Sequence, residues 1–152
     1  MRIFYSIVLI LGAGAVGSVL TMYFRPEPPF EPVAEVSQIM KGTVGPSSDV
    51  VFGAVEIDVD AKGTHERKPE TDAEWGAVRD NAITLMETGN LLMMPGRSRD
   101  GGLWMKQSRA LVEAGAMAAK AADAKDAAGL MTAGHLIDLS CDRCHRRYMK
   151  LP

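Results

Sequence analysis

The chain has 152 residues, one domain's worth, with 17 Lys and Arg against 19 Asp and Glu for a formal net charge of −2. Near neutrality, with no basic stripe interleaved with aromatics, leaves nucleic-acid binding without an electrostatic footprint. Sparse aromatics and few strand-like runs point away from a β-rich fold, while Ala, Leu, Met, Lys and Glu recur through the second half.

At the N-terminus, Ile3–Phe24 carries no charge and is flanked by Arg2 and Arg25. At about 1.5 Å per residue it is long enough to cross a hydrocarbon core of about 30 Å, so an N-terminal hydrophobic helix serving as membrane anchor is expected. The rival is a cleaved signal peptide, with Ala13-Gly14-Ala15 as the small-x-small site. Either way the rest lies outside the cytoplasm, at the periplasmic side of a bacterial inner membrane. Gly12-Ala13-Gly14-Ala15-Val16-Gly17 lacks the strand and βαβ setting of a dinucleotide fingerprint. Arg25–Pro32, half of it proline, reads as an extended linker. The expected division is an anchor or signal segment over 1–24, a linker over 25–32 and a helical domain over 33–152.

Four amphipathic segments follow. The first, about Val33 to Ile57, aligns Val33, Val36, Met40, Val44, Ser47, Val51 and Val55, and Gly45-Pro46 predicts a kink or a fresh helix start. A solvated loop is expected from Asp58 to Glu70. The second segment opens on a capping box, Thr71-Asp72-Ala73-Glu74, and spaces Trp75, Val78, Ala82, Leu85, Gly89 and Leu92 by threes and fours until Pro95-Gly96. The third, about Gly102 to Ala122, turns Trp104, Ser108, Leu111, Gly115 and Ala118 inward. This stripe is poor in large side chains and demands close packing. The fourth, about Lys125 to Tyr148, lines up Ala127, Leu130, Gly134, Ile137, Cys141, Cys144 and Tyr148. The expected fold is all-α, an antiparallel up-down-up-down four-helix bundle.

The only two cysteines lie in Cys141-Asp142-Arg143-Cys144-His145. A thioredoxin-like dithiol belongs after a strand in a βαβ setting, whereas this pair ends a long helical pattern. A structural zinc wants four ligands. His135 lies roughly 15 Å up the same helix, and His65 falls in the far loop. Covalent haem meets every constraint: two thiols one turn apart for two thioethers, and an imidazole beside the second for the iron.

CDRCHRRY after three helical segments resembles the class II c-type cytochromes, which include the cytochromes c prime and the low-spin cytochromes of the c556 type. The resemblance spans Glu31 to Tyr148, much of it architectural, and the Gly45-Pro46 step and the N-terminal run depart from the simplest members. It implies one haem c attached through Cys141 and Cys144, with His145 as proximal iron ligand. In six-coordinate members a Met early in the first helix is the distal ligand, and that position is Met40.

Antiparallel topology independently brings Met40 beside His145. The same topology brings Met94, Trp104 and Met105 to the haem end and sends His65 and His135 away. The chain's ten methionines make a core role the ordinary one for any of them. Arg97 and Arg99 suit either the haem propionates or plain surface solvation. Arg143, Arg146 and Arg147 suit either an acidic partner or the helix dipole. With both faces of the iron filled and no acid–base pair nearby, the expected function is one-electron transfer, not catalysis. It would serve redox protein partners in membrane-associated respiratory or photosynthetic chains, without nucleic acid. The alternatives are a five-coordinate haem protein binding nitric oxide or carbon monoxide, and a haem-bearing subunit of a larger complex. Small faces at Gly115 and Ala118 suit a homodimer contact as well as the bundle interior.

Overall fold

The computed structural model describes residues 30–149. The first helix has three parts: α1 (Val36–Ile39), a π-helical turn (Met40–Val44) and α2 (Gly45–Gly53). It starts where Gln38 Oε1 accepts the Glu35 N–H at 2.8 Å. At Gly45-Pro46, where a kink or a fresh helix start was expected, a new α segment does begin, joined to the preceding turns by a widened turn rather than a gap. Pro46 has no N–H to give, and its ring would crowd a carbonyl one α-turn back. The Gly45 N–H instead reaches Met40 O, five residues back. Gly45 suits that turn, since a Cβ there would stand 3.2 Å from Met40 O. Burial records the extra residue: Ile39 and then Val44, five apart, before Ser47, Ser48 and Val51 resume α spacing. Val33 leaves the expected stripe. It precedes the helix and is 89% exposed.

The predicted loop is in fact mostly a hairpin, so the domain is not purely α. β1 (Glu56–Asp60) pairs antiparallel with β2 (Gly63–Arg67), from Glu56↔Arg67 to Asp60↔Gly63. Asp60 Oδ1 accepts the Lys62 N–H at 2.7 Å, and Gly63 at φ +135° completes the two-residue turn. Every strand residue is exposed.

Three long helices complete a four-helix bundle: α3 (Asp72–Met93), α4 (Leu103–Asp123) and α5 (Ala127–Tyr148). The capping box forms as expected: Thr71 Oγ1 accepts the Glu74 N–H at 3.2 Å while Glu74 Oε2 accepts that of Thr71 at 2.9 Å. All six residues assigned to the inner stripe of α3 are buried, together with Thr88, whose hydroxyl donates to Thr84 O at 2.7 Å. The five assigned to α4 are buried as well, joined by Gln107, Ala114, Ala121 and Ala122. On α5, Leu130, Ala133, Ile137 and Ser140 are buried, and the cysteines and Tyr148 are half-buried.

The close packing expected of α4 is concentrated at two glycines. A Cβ on Gly89 would stand 2.8 Å from Ser108 O, and one on Gly115 3.0 Å from the Met86 nitrogen. Contacts between helix ends define the bundle's two poles. At one, Trp104 Nε1 donates to Leu92 O at 2.7 Å, Tyr148 hydrogen-bonds Asp100, and Arg97 Nε donates to Ala34 O at 3.2 Å. At the other, Lys125 pairs with Asp72 and Arg79 with Asp123.

The expectation of a membrane-spanning helix and of an anchored location needs correction. Among the described residues no helix is long and apolar enough to cross a membrane. The run on which it rested, residues 3–24, lies outside them.

Candidate functional site

Cys141, Cys144 and His145 occupy the last turns of α5, at the pole shared by the start of the first helix, the α3–α4 turn and Tyr148. The helical rise sets the two thiols about 4.5 Å apart along the axis. Neither cysteine is in a disulfide, and both are half-buried. Burial is the main influence pushing the Cys141 thiol above its usual range. The Asp138 charge adds to the rise, and a hydrogen bond with Ser140 opposes it. Burial also leads at Cys144, reinforced by Cys141 and Asp100. Both side chains are therefore neutral thiols at neutral pH. Among the described residues no group of three or more His, Cys, Asp or Glu is placed to hold a metal ion. His65 sits in the hairpin against Asp60, 3.2 Å from its Oδ1.

Three hollows meet at His145. An inner one of about 20 Å³ is lined by Met40, Gln107, Cys141 and Cys144 among others. A second, about 440 Å³, opens between the first helix and α5, with Met40, Lys41, Arg99, Trp104, Cys144 and Tyr148 on its walls. A third of about 600 Å³ lies on the outer side of α5 beside Cys141, Asp142 and Arg146. Met40, the first residue of the π turn, lines the first two.

The aromatic wall of the second hollow is built rigidly. Trp104 is buried with its indole N–H committed to Leu92 O, and its ring meets Tyr148 edge-on at 5.0 Å and 76°. The Tyr148 hydroxyl donates to Asp100 Oδ2, while Asp100 Oδ1 accepts the amides of Gly102 at 2.8 Å and Trp104 at 3.2 Å. The Tyr148 hydrogen bond holds Asp100 below the usual carboxylate range, and the same bond raises the Tyr148 phenol. The sequence reading missed Asp100. Its signal was an Asp just ahead of a helix, where such residues accept amide hydrogen bonds.

Two expected cofactor contacts turn out to be engaged elsewhere. Arg97 is 6% exposed, with Nε on Ala34 O and Nη1 on Leu91 O at 3.3 Å and Met94 Sδ at 3.0 Å. Those bonds tie the lead-in of the first helix to the α3–α4 turn and occupy the Met94 sulfur as well. Neither residue lines the three hollows. Arg99 and Lys41 are the cations on the second one. Met105, the other reserve thioether, receives a long contact from Ser98 Oγ at 3.5 Å. His135 lines a separate hollow with Val51, Phe52 and Leu130.

The chain matches no protein-family model, no curated protein and no solved structure. What stands is a small helical domain whose Cys-x-x-Cys pair is consistent with c-type haem attachment. Its donor set suits that group: two neutral thiols one turn apart, an imidazole beside the second, and a methionine lining the same hollow. Gln107, whose buried Oε1 has no hydrogen-bond partner among the described residues, is another residue of the inner cavity.

Proposed function

We propose that this domain is a one-electron carrier of the class II c-type cytochrome kind, with its helices running up-down-up-down and one haem c joined to Cys141 and Cys144. The haem supplies a reversible one-electron iron couple. His145 and Met40 would supply the chain's ligands to the iron, and the observation that carries this reading is that the two side chains line the same hollows beside Cys144. With both ligands supplied by the chain, no open iron position would remain for a substrate, which favours electron transfer over catalysis.

Around that group the side chains hold and exclude. Trp104 and Tyr148 give an aromatic wall whose polar atoms are already satisfied, so it excludes water without strain. Arg99 and Lys41, on the rim, offer the positive charge that propionates require; of the two arginines considered for that role, Arg99 is the one on this hollow. Arg143 and Arg147 on the exposed side of α5 offer a docking charge to an acidic redox partner, while Arg146 is paired with Asp142 at 2.8 Å.

The test is the absorption spectrum and intact mass of protein matured where haem can be attached, beside its Met40→Ala variant. A mass increase of one haem and a low-spin spectrum that turns high-spin in Met40→Ala are expected. A low-spin spectrum unmoved by the substitution removes Met40 as a ligand. A high-spin parent that responds to carbon monoxide replaces electron transfer with gas binding.

A further inference from the structure

Helix packing does not account for the hairpin. Its strand residues are exposed throughout, with Ile57 at 49% and Val59 at 71%. A lone two-stranded hairpin is only marginally stable in water, and these two aliphatic side chains gain nothing from solvent. β1 and β2 form a two-stranded sheet, so among the described residues each has one edge with no strand beside it. The two edges differ. β2 runs into Lys68-Pro69, and Lys68 pairs with Glu66 at 3.5 Å. Lysine and proline ordinarily discourage a further strand. β1 contains neither, and its register is unbroken from Glu56 to Asp60. Alternate residues along it turn their N–H and C=O groups away from β2.

The side chains of β1 alternate between two faces and specify what fits. Glu56, Asp58 and Asp60 share one face. There β2 answers with Arg67 on Glu56 and with His65, 3.2 Å from Asp60 Oδ1. Asp58 lies opposite His65, which is already turned to Asp60. Ile57 and Val59 share the other face, opposite Glu66 and Thr64. A second β1 on this edge would set carboxylates beside carboxylates, so the pattern disfavours another copy of the chain. It fits an extended segment with cations at alternate positions and aliphatic side chains between them.

We propose that the free edge of β1 is a docking strand for a partner protein, which adds an extended segment of alternating basic and aliphatic residues to the hairpin. Backbone hydrogen bonds hold the segment, its cations meet Glu56, Asp58 and Asp60, and its aliphatic side chains cover Ile57 and Val59. The hairpin joins the end of α2 to the start of α3, at the Lys125 pole. A partner held there leaves the Cys144 pole uncovered. Docking on β1 does not depend on haem, and the failure of either reading leaves the other standing.

The test uses the full chain and, as probe, a fluorescent synthetic peptide, Lys-Val-Lys-Val-Lys with blocked ends. Expected is saturable binding that slows exchange of the outward β1 amides at least tenfold. Binding should weaken at least tenfold for the same peptide with every amide N-methylated, for Glu-Val-Glu-Val-Glu, and for the Asp58→Lys and Val59→Lys chains. The peptide controls decide the matter even where a variant loses its fold. An N-methylated peptide that binds as well shows charge attraction without strand addition and overturns the proposal. A charge-reversed peptide that binds as well overturns it too, as does protection that falls on the helices instead of β1. Sedimentation of the parent without peptide is the remaining check. A monomer supports the open edge, whereas a dimer abolished by Val59→Lys gives the edge to a second copy and overturns the partner.

Discussion

Tyr148 and Asp100 illustrate how few residues set the site's shape. One carboxylate accepts the Tyr148 hydroxyl and two amides at the start of α4, so it secures the aromatic wall and caps the helix together. Asp100 is therefore held below the ordinary 3.8, as Asp72 is by Lys125, and Glu74 is held below 4.5 by the Thr71 amide. Carboxyls with lowered values in the folded state bind protons more readily when unfolded. Their stabilisation is complete above the ordinary values and is lost as pH falls through the folded ones. Tyr148→Phe should return Asp100 towards its ordinary value, as followed by carboxyl ¹³C titration. It should also lessen the loss of thermal stability between about pH 6 and about pH 3. An Asp100 titration unchanged in the variant would deny the hydrogen bond its role.

At the scale of the element, the two close helix contacts separate glycines that matter from those that do not. Gly89→Ala pushes a methyl onto backbone at Ser108 and should cost about 1–3 kcal/mol. Gly76→Ala, in the same helix with nothing within 4 Å, should gain about 0.5–1 kcal/mol through helix propensity. Urea unfolding of both variants checks the pair, and equal effects would contradict the packing described. These regular parts of the chain were legible beforehand. The stripe of α3 follows strict spacings of three and four, and Thr71-Asp72-Ala73-Glu74 announces its own start. The irregular parts were not. A Gly-Pro step signals a break as readily as a widened turn, and only the register of Ile39 and Val44 distinguishes the two. The hairpin escaped because the strand residues Glu56, Asp58 and Asp60 give it the composition of a loop. The site divided along the same line. Cys141, Cys144 and His145 stand together in the sequence, and helix order placed Met40 near them. Arg97 was read as either a propionate contact or a surface cation, and its actual acceptors, Ala34 O and Leu91 O, are backbone atoms that no pattern marks. Gln107 was overlooked because glutamine ordinarily faces solvent.

At the scale of the molecule, the poles of the bundle differ in how they are held. One has a polar lattice around Asp100 and Arg97, interrupted by hollows of about 440 and 600 Å³ next to His145. The other has a smaller hollow of about 200 Å³ beside buried Trp75 and Ala122, with exposed ion pairs at its surface that contribute little individually. Unfilled space forgoes attractive contacts, so a chain without its cofactor should loosen first where the thiols are. An occupant tethered to α5 and gripped from the first helix would reverse that order. Amide-proton exchange reads the reversal directly: the last turns of α5 and the Met40 turn should exchange fastest in colourless protein and join the slowest class once pigment is attached. Breathing at the Lys125 end would then become the earliest opening. Covalent attachment would in that case decide which half of the molecule a protease or a denaturant reaches first.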